Sequence, residues 1–260
     1  MTTLRLVPSP RVERLSIELT DRCSKACAFC YAGARPEGGR AWDPDRVVAL
    51  VRDCARHGTR AVSFGGGEPL EYPHLFDVLA ATRGVLFRSL TTNGLHLEGA
   101  LEALSRAAPE KVHVSVHQPA DPAEVNRAVR QVEALEARGI RGGVNLLVRR
   151  SGLPAARAAG AALRRAGVGP DRVVWLPMRP ADTPSAAELA EAAGGPFQSA
   201  TCITGCGPSP RFASLAVDGS VAPCSYTRSR APLREPTHAA LAEALAIAAA
   251  SLAPCSGGSP

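Results

Sequence analysis

The stretch CSKACAFCYAG, residues 23–33, places Cys23, Cys27 and Cys30 within eight positions in the order C-x3-C-x2-C. These cysteines directly follow a short apolar run, residues 15–19, that predicts a β-strand. A tetrahedral zinc site normally takes four protein ligands, so zinc would need a remote fourth thiolate. Thiolates also suit iron–sulfur clusters. A four-iron cluster held by three cysteines leaves one iron open for a substrate or a cofactor.

Five further runs of this kind follow, each separated from the next by a longer helical pattern. The pattern predicts six strand–helix units, with strands at 15–19, 61–64, 85–90, 111–117, 143–148 and 173–177. Successive units of this kind imply parallel strands joined by crossover helices. Six strands are too few for the usual eight-stranded closure. We therefore expect an α/β fold built as an open, partial (β/α)6 TIM-like barrel.

The pattern changes after residue 180. The pair Asp218-Gly219 lies between two alternating runs, which is a strong hairpin signal, and an alanine-rich helix is predicted at about 239–252. We expect two units, a barrel at 12–180 and a small hairpin-and-helix unit at 196–260. Four of the eight cysteines fall in the second unit: Cys202, Cys206, Cys224 and Cys255.

Composition narrows the class of protein. The chain has 260 residues and a formal net charge of +6, but its arginines are scattered and form no basic run, so we expect no nucleic-acid partner. No stretch is long and apolar enough for a membrane span, and the N-terminus lacks a signal-peptide core. We expect a cytoplasmic protein that does not contact a membrane, whose cysteines are ligands or thiols more often than disulfides. Cys54 lies on the apolar face of a predicted helix and is expected to be a buried thiol.

Chemistry-bearing residues cluster at the predicted strand ends, where strand–helix barrels bind their ligands. GGEP (66–69) ends the second strand, TTNG (91–94) ends the third, and His117 closes the fourth. Strand alternation places His117 on the same face as Ser115, opposite three valines. These groups should therefore meet the cysteine cluster at one end of the barrel.

The motifs CSKACAFC, GGEP and TTNG, together with the six-fold strand–helix pattern, resemble the radical S-adenosylmethionine (SAM) enzymes over residues 12–180. The resemblance implies that Cys23, Cys27 and Cys30 ligate a [4Fe–4S] cluster whose fourth iron chelates SAM. Reduction of this cluster, by a flavodoxin- or ferredoxin-type donor, would cleave SAM to a 5′-deoxyadenosyl radical that abstracts a substrate hydrogen.

The resemblance also implies a set of SAM-binding residues, each of which could instead be an ordinary residue of the barrel interior. The glycines of GGEP would allow close approach to the ligand, Glu68 would pair with its ammonium group, and polar or apolar side chains would hold its ribose and adenine. These residues are Phe29, Gly66, Gly67, Glu68, Ser115, Asn145 and Leu176. For the SAM carboxylate, Arg127 and Arg130 are candidates between which the sequence does not choose.

The second cysteine group has its own resemblance. Cys206, Gly219 and Cys224 form C-x12-G-x4-C, similar to the "twitch" half of the SPASM extension found behind many radical SAM barrels. This implies an auxiliary [4Fe–4S] cluster held by Cys202, Cys206, Cys224 and Cys255. If all four bind, the cluster passes electrons, whereas an open iron would hold substrate. Zinc ligands or plain thiols are the alternative.

A fully ligated auxiliary cluster suggests an oxidation, with His117 as a catalytic residue that takes the substrate proton. A histidine simply hydrogen-bonded in the barrel is the alternative. The leading hypothesis is oxidative maturation of a ribosomally made precursor peptide by crosslink formation. The runner-up is a small-molecule dehydrogenase, for instance of an aminocyclitol alcohol. A non-catalytic iron–sulfur electron carrier would explain the cysteines but not GGEP.

Overall fold

The computed structural model describes residues 12–179, 181–199 and 211–251. Its strands belong to one sheet and have these bounds: β1 (Arg14–Glu18), β2 (Ala61–Gly65), β3 (Phe87–Thr92), β4 (Lys111–Val116), β5 (Arg141–Val148), β6 (Val173–Pro177), β7 (Gln198–Ser199), β8 (Phe212–Leu215), β9 (Ser220–Ala222) and β10 (Ala231–Pro232). The spatial order is β10-β9-β8-β1-β2-β3-β4-β5-β6-β7.

Seven α-helices lie in the described residues: α1 (Pro44–Arg56), α2 (Leu75–Ala81), α3 (Leu97–Ala107), α4 (Pro122–Glu136), α5 (Leu153–Arg165), α6 (Ala186–Ala193) and α7 (His238–Ala250). The starts of α1 and α4 follow one rule, since each has an aspartate cap followed by a proline. On α1 the predicted burial of Cys54 is confirmed, because its side chain is fully buried with the apolar face of the helix.

Strands β1 to β6 are all parallel and neighbour one another in chain order. α1 to α5 each connect one of these strands to the next. The predicted α/β partial barrel is therefore confirmed. The predicted hairpin also forms, with β8 and β9 antiparallel on either side of the Asp218-Gly219 turn, and Gly219 has a φ of +83° that this turn requires.

The hairpin continues the barrel sheet. β8 runs parallel to β1, with Leu15 opposite Ala213 and Ile17 opposite Leu215. The buried apolar side chains of the hairpin and of α7 belong to the same core cluster as those of the barrel. The division of the chain into units at 12–180 and 196–260 stays a prediction.

One strand begins later than predicted. β3 starts at Phe87, because Val85 donates its backbone N–H to the carbonyl of Thr82 in a turn where Gly84 has a φ of +72°. The strand also ends later than predicted, at Thr92. The threonines of the TTNG motif therefore lie in the sheet, and Asn93 is the first residue beyond it.

Candidate active site

A cavity of about 370 Å³ opens at the carboxyl ends of the barrel strands. Apart from the two arginine candidates, every site residue predicted for the barrel lines this cavity: Cys23, Cys27, Phe29, Cys30, Gly66, Gly67, Glu68, Ser115, His117, Asn145 and Leu176. The structure therefore brings these residues together as the strand order requires. Their individual roles stay predictions.

The cysteine loop is closed at its base by backbone hydrogen bonds. Cys23 donates its N–H to the carbonyl of Arg35 at 3.0 Å, and Arg35 donates to the carbonyl of Asp21 at 3.0 Å. Within the loop, Cys30 donates to the carbonyl of Cys27 at 3.0 Å, and Ala26 has a left-handed φ of +48°. These turns place all three thiols along one wall of the cavity.

The GGEP loop lies directly against the start of the cysteine loop. Gly67 donates its N–H to the carbonyl of Thr20 at 2.6 Å, and Glu68 donates to the carbonyl of Arg22 at 2.8 Å. A Cβ on Gly66, which has a φ of +113°, would lie 2.8 Å from the Thr20 carbonyl oxygen. The close approach that these glycines visibly permit is thus between two backbone segments of the site.

The carboxylate of Glu68 is buried and holds the neighbouring strand end. Its Oε1 accepts from the hydroxyl of Thr92 at 2.7 Å and the N–H of Leu70 at 3.1 Å, and its Oε2 accepts from the N–H of Asn93 at 2.7 Å. Burial raises the pKa of Glu68, while these hydrogen bonds oppose the rise. Asn93 in turn places its side-chain amide 3.6 Å from Cys23 Sγ. Glu68 therefore connects GGEP, TTNG and the first cysteine.

The three thiols fit an iron–sulfur cluster better than a single metal ion. Burial raises the pKa of Cys27, Lys25 lowers it, and the charges of Cys23 and Cys30 raise it again, so the other two sulfurs lie close enough to Cys27 to influence it electrostatically. In the described part of the chain, no three His, Cys, Asp or Glu side chains converge to hold one ion. A cubane does not need such convergence, because each thiolate binds a different iron.

Lys25, inside the cysteine motif, is a site residue that the sequence interpretation missed. Its Nζ bonds the buried carboxylate of Glu124, which also accepts the backbone N–H groups of His117 and Gln118 at 3.2 and 2.9 Å. The cysteine loop is thereby attached to α4 and to the end of β4. The only signal in the sequence was a lysine between two cysteines.

His117 stands beside this pair and lines the cavity 5.7 Å, centroid to centroid, from the ring of Phe29. Burial, together with the nearby charges of Lys25 and Arg127 and against that of Glu124, lowers its pKa to about 4. Its buried Nδ1 has no hydrogen-bond partner. At neutral pH the ring is therefore uncharged, and the lowered pKa makes it a weaker base than an exposed histidine.

The two arginines proposed for a ligand carboxylate do not line the cavity. Arg127 has its Nη2 3.6 Å from Glu124, and Arg130 is exposed on α4. Arg179 lines the cavity just past β6, and Arg149 lies over the ring of Phe29 at 4.9 Å. Their places after strand ends were available in the sequence as a signal.

The segment after the hairpin completes the cavity wall. Ser225 and Tyr226 line the cavity, and Tyr226 packs its ring 5.2 Å from that of Tyr31, next to Cys30. Cys224 immediately precedes them and is half-buried. The other predicted ligands of the second cluster, Cys202, Cys206 and Cys255, lie outside the described residues.

Across the described ranges, no helix has the length and apolar character needed to cross a membrane.

The fold resembles solved structures at low sequence identity. Streptococcus suis SuiB bound to S-adenosylmethionine superposes with a TM-score of 0.68 at 15% identity, covering 82% of this chain and 60% of SuiB. The same protein is also solved bound to its precursor peptide SuiA. anSMEcpe with bound AdoMet and the Cp18Cys peptide gives 0.62 at 14% identity, covering 94% of this chain and 88% of that one.

Curated relatives are similar over a shorter stretch. A probable GTP 3′,8-cyclase of Methanocella arvoryzae is 33% identical over 106 residues, 41% of this chain and 34% of that protein. GTP 3′,8-cyclase 2 of Mycobacterium tuberculosis is 39% identical over 113 residues, 39% of this chain and 30% of that protein. The match thus spans about a third of these cyclases.

A profile of the Radical SAM superfamily matches residues 17–148, half of the chain. With its cysteine motif and partial barrel, this chain is a radical SAM enzyme and belongs to that superfamily.

Proposed function

We propose that this enzyme oxidises a ribosomally made peptide, forming a crosslink, and that residues 196–260 hold an auxiliary [4Fe–4S] cluster in a twitch-like unit. A [4Fe–4S] cluster and SAM, when bound in the barrel, supply a 5′-deoxyadenosyl radical that removes one substrate hydrogen atom. The auxiliary cluster, when bound, would supply the acceptor for the remaining electron, and a base of the chain would take the proton. The residues of the chain then have to hold the reactants and accept that proton.

The holding residues follow from the cavity wall. Cys23, Cys27 and Cys30 are the proposed cluster ligands, since their thiols are side by side on one closed loop. For SAM, we propose the backbone of Gly66 and Gly67, supported by Glu68, with hydroxyl and amide contacts from Ser115 and Asn145, which pair across β4 and β5. Phe29 and Leu176 supply apolar surface for the adenine.

An oxidative function is supported by one observation: the cysteine loop and the segment after the hairpin line the same cavity. Ser225 and Tyr226 contribute to the same cavity as the cysteine loop, and Tyr31 packs against Tyr226. Cys224 is therefore one residue from the cavity, and a cluster that it ligates would lie within reach of a substrate radical. An auxiliary cluster so placed favours electron removal over a reaction that returns the hydrogen atom.

His117 is the proposed proton acceptor. It is neutral at working pH because burial lowers its pKa to about 4, and its Nδ1 has no partner while the ring lines the cavity. Glu124 accepts the backbone N–H of His117, and the His117 ring lies 5.7 Å from that of Phe29. Replacing His117 by Gln should therefore reduce product formation more than SAM cleavage.

The peptide as substrate is supported by the structural neighbours. SuiB and anSMEcpe, whose folds cover most of this chain, have both been solved with bound peptides. The GTP cyclases match over a stretch of only about 40% of this chain, which favours shared SAM chemistry over a shared substrate. GTP is nevertheless the obvious competitor for the test.

The test is an anaerobic assay of the reconstituted protein with dithionite and SAM. We expect 5′-deoxyadenosine, released faster when a short peptide encoded beside the gene is added, with a peptide product lighter by two hydrogen atoms. Stimulation by GTP or by an aminocyclitol instead of the peptide would replace the substrate we propose. Complete absence of 5′-deoxyadenosine would support an electron carrier.

A further inference from the structure

A second cavity, also of about 370 Å³, shares the lining residue Tyr31 with the active-site cavity. We call it the Glu18 cavity. It is formed where the end of β1, the exit of the cysteine loop and the hairpin turn meet. The charged residues of its lining are Glu18, Asp21, Arg35, Arg40, Asp218 and Arg230. Three carboxylates and three guanidinium groups thus surround one space, and none of them has a role in the proposed chemistry.

Glu18 is the buried group of this cavity. Glu18 is 5% exposed, and its side-chain Oε1 has no hydrogen-bond partner. Burial raises the pKa of the carboxyl, while the charge of Arg230 and the backbone N–H of Val217 oppose that rise. A carboxylate at this depth costs free energy unless a donor or a cation meets it.

Arg230 is the complementary group. Its Nη2 donates to the carbonyl of Ser225 at 3.1 Å, whereas its buried Nη1 has no partner. Glu18 and Arg230 influence each other electrostatically, yet in the described part of the chain they form no direct ion pair. Glu18 and Arg230 thus both line the cavity, and each has one buried side-chain atom without a hydrogen-bond partner.

Two other carboxylates of the cavity already have partners. Asp21 Oδ1 accepts the backbone N–H of Arg40 at 2.9 Å, and Asp218 Oδ1 accepts the N–H and hydroxyl of Ser220. The exposed Arg35 and Arg40 line the opening. The formal charges sum to zero, so a ligand of large net charge would find no compensation here.

We propose that the Glu18 cavity binds a free α-amino acid zwitterion, with its ammonium group toward Glu18 and its carboxylate toward Arg230. A simple cation would leave Arg230 unsatisfied, and a simple anion would leave Glu18 unsatisfied, whereas a zwitterion satisfies both and adds no net charge. The volume holds a small amino acid, with Tyr31, Ala32 and Ala216 as the wall for its side chain. Because Tyr31 lines both cavities, the bound amino acid would lie next to the active site as a co-substrate or an effector.

Isothermal titration of the full-length protein with L-alanine tests the site. We expect saturable binding, with methylammonium and acetate each at least about tenfold weaker, because each supplies half of the zwitterion. Glu18→Gln and Arg230→Gln should each weaken L-alanine binding by about tenfold or more. The matched controls Glu102→Gln and Arg106→Gln, at an exposed ion pair on α3, should leave it unchanged.

Three results would overturn the proposal: no binding of L-alanine at millimolar concentration, methylammonium binding as tightly as L-alanine, or an equal loss in the α3 controls. Thermal unfolding of each variant checks its fold. If Glu18→Gln or Arg230→Gln fails to fold, Tyr31→Trp provides a fluorescent reporter on the cavity wall with both charged groups intact. Its emission should change with L-alanine and stay unchanged with acetate. Because the site does not depend on a peptide substrate, its failure leaves the proposed function untouched.

Discussion

A Cβ atom added to Gly67 would lie 2.0 Å from the carbonyl oxygen of Arg22, far inside any allowed contact. The obstructing atom belongs to backbone, at the point where the chain enters the cysteine loop. The next residue, Glu68, donates its N–H to that same carbonyl at 2.8 Å. The GGEP loop and the cysteine loop therefore fix each other's position, and the proposed cluster ligands depend on a glycine in a different strand–helix unit.

Gly67→Ala is expected to displace the cysteine loop. The overpacking should lower the free energy of unfolding by about 1–3 kcal/mol and reduce iron bound per chain after anaerobic reconstitution. Urea unfolding and iron analysis measure the two effects. Gly39→Ala is the matched control, because a Cβ there meets nothing within 4 Å. Equal iron content in the two variants would show that Gly67 does not position the loop.

The same pair of loops shows what sequence reasoning can reach. The sequence identified Gly66 and Gly67 as places of close approach, because glycine at a strand end has that meaning in any barrel. It assigned the approach to a ligand, since the path of the cysteine loop was unknown. The backbone contact with Thr20 and Arg22 depends on the return of that loop, which no local pattern encodes.

Lys25 and Glu124 give the second prediction. Lys25→Met removes the hydrogen-bonded cation of the buried Glu124 carboxylate and leaves Arg127, at 3.6 Å, as its nearest positive charge. The change should cost up to about 3 kcal/mol of unfolding free energy at neutral pH. The double variant Lys25→Met/Glu124→Gln should recover part of that loss, because the buried carboxylate is then neutral. Urea unfolding measures both. The pair Glu102 and Arg106, exposed on α3, serves as control, and its removal should change stability by less than about 0.5 kcal/mol.

The pH dependence of this pair has a defined sign. Hydrogen bonds and charge from Lys25, with the backbone N–H groups of His117 and Gln118, outweigh burial and lower the pKa of Glu124. Its stabilisation is therefore present above the ordinary glutamate pKa and is lost as the pH falls through the lowered value. A Lys25→Met variant as stable as the parent at pH 7 would contradict the ion pair.

Strand alternation was enough to place Ser115 and His117 on one face of their strand, because period-2 geometry is a local rule, whereas Asn145 came from the family resemblance. The Lys25–Glu124 contact was not accessible in that way. It joins residues separated by 99 positions, and a glutamate in the first turn of a helix is ordinary at the surface. The exposed position of Arg130 was missed for the related reason that the rotation of α4 about its axis is set by packing.

His113 supplies a prediction about acid stability. Burial, with Lys111 and Arg141 nearby, lowers its pKa to about 3. The unfolded chain binds a proton at about pH 6.5, so stability is complete above that value and is lost as the pH falls toward 3, by up to about 1.4 kcal/mol per pH unit. His113→Gln should flatten the slope of unfolding free energy between pH 6 and 4. His74→Gln, at a half-exposed site, should retain it. Parallel slopes in His113→Gln and the parent would refute the buried neutral imidazole.

Cys224 provides the decisive measurement for the second cluster. It is half-buried, accepts the backbone N–H of Tyr226 at 3.4 Å, and lies one residue from the cavity wall. If it ligates an auxiliary [4Fe–4S] cluster, Cys224→Ser should lower the bound iron by up to about four atoms per chain. The absorbance of the thiolate-to-iron charge-transfer bands should fall in proportion. Release of 5′-deoxyadenosine should persist, because the barrel cysteines are intact, while formation of oxidised product should fall by at least about tenfold.

The matched control for this substitution is Cys54→Ser, which removes a fully buried thiol on α1 that does not line the active-site cavity. It should leave the iron content unchanged and affect stability alone, because a hydroxyl in an apolar site lacks the packing of the thiol. Undiminished iron in Cys224→Ser, with unchanged formation of oxidised product, would show that no cluster depends on Cys224. A loss of iron that also abolished 5′-deoxyadenosine would show instead that Cys224 supports the barrel cluster, since Tyr226 packs against Tyr31 beside Cys30. Electron removal would then need another acceptor, and the substrate radical would more naturally regain a hydrogen atom than lose an electron.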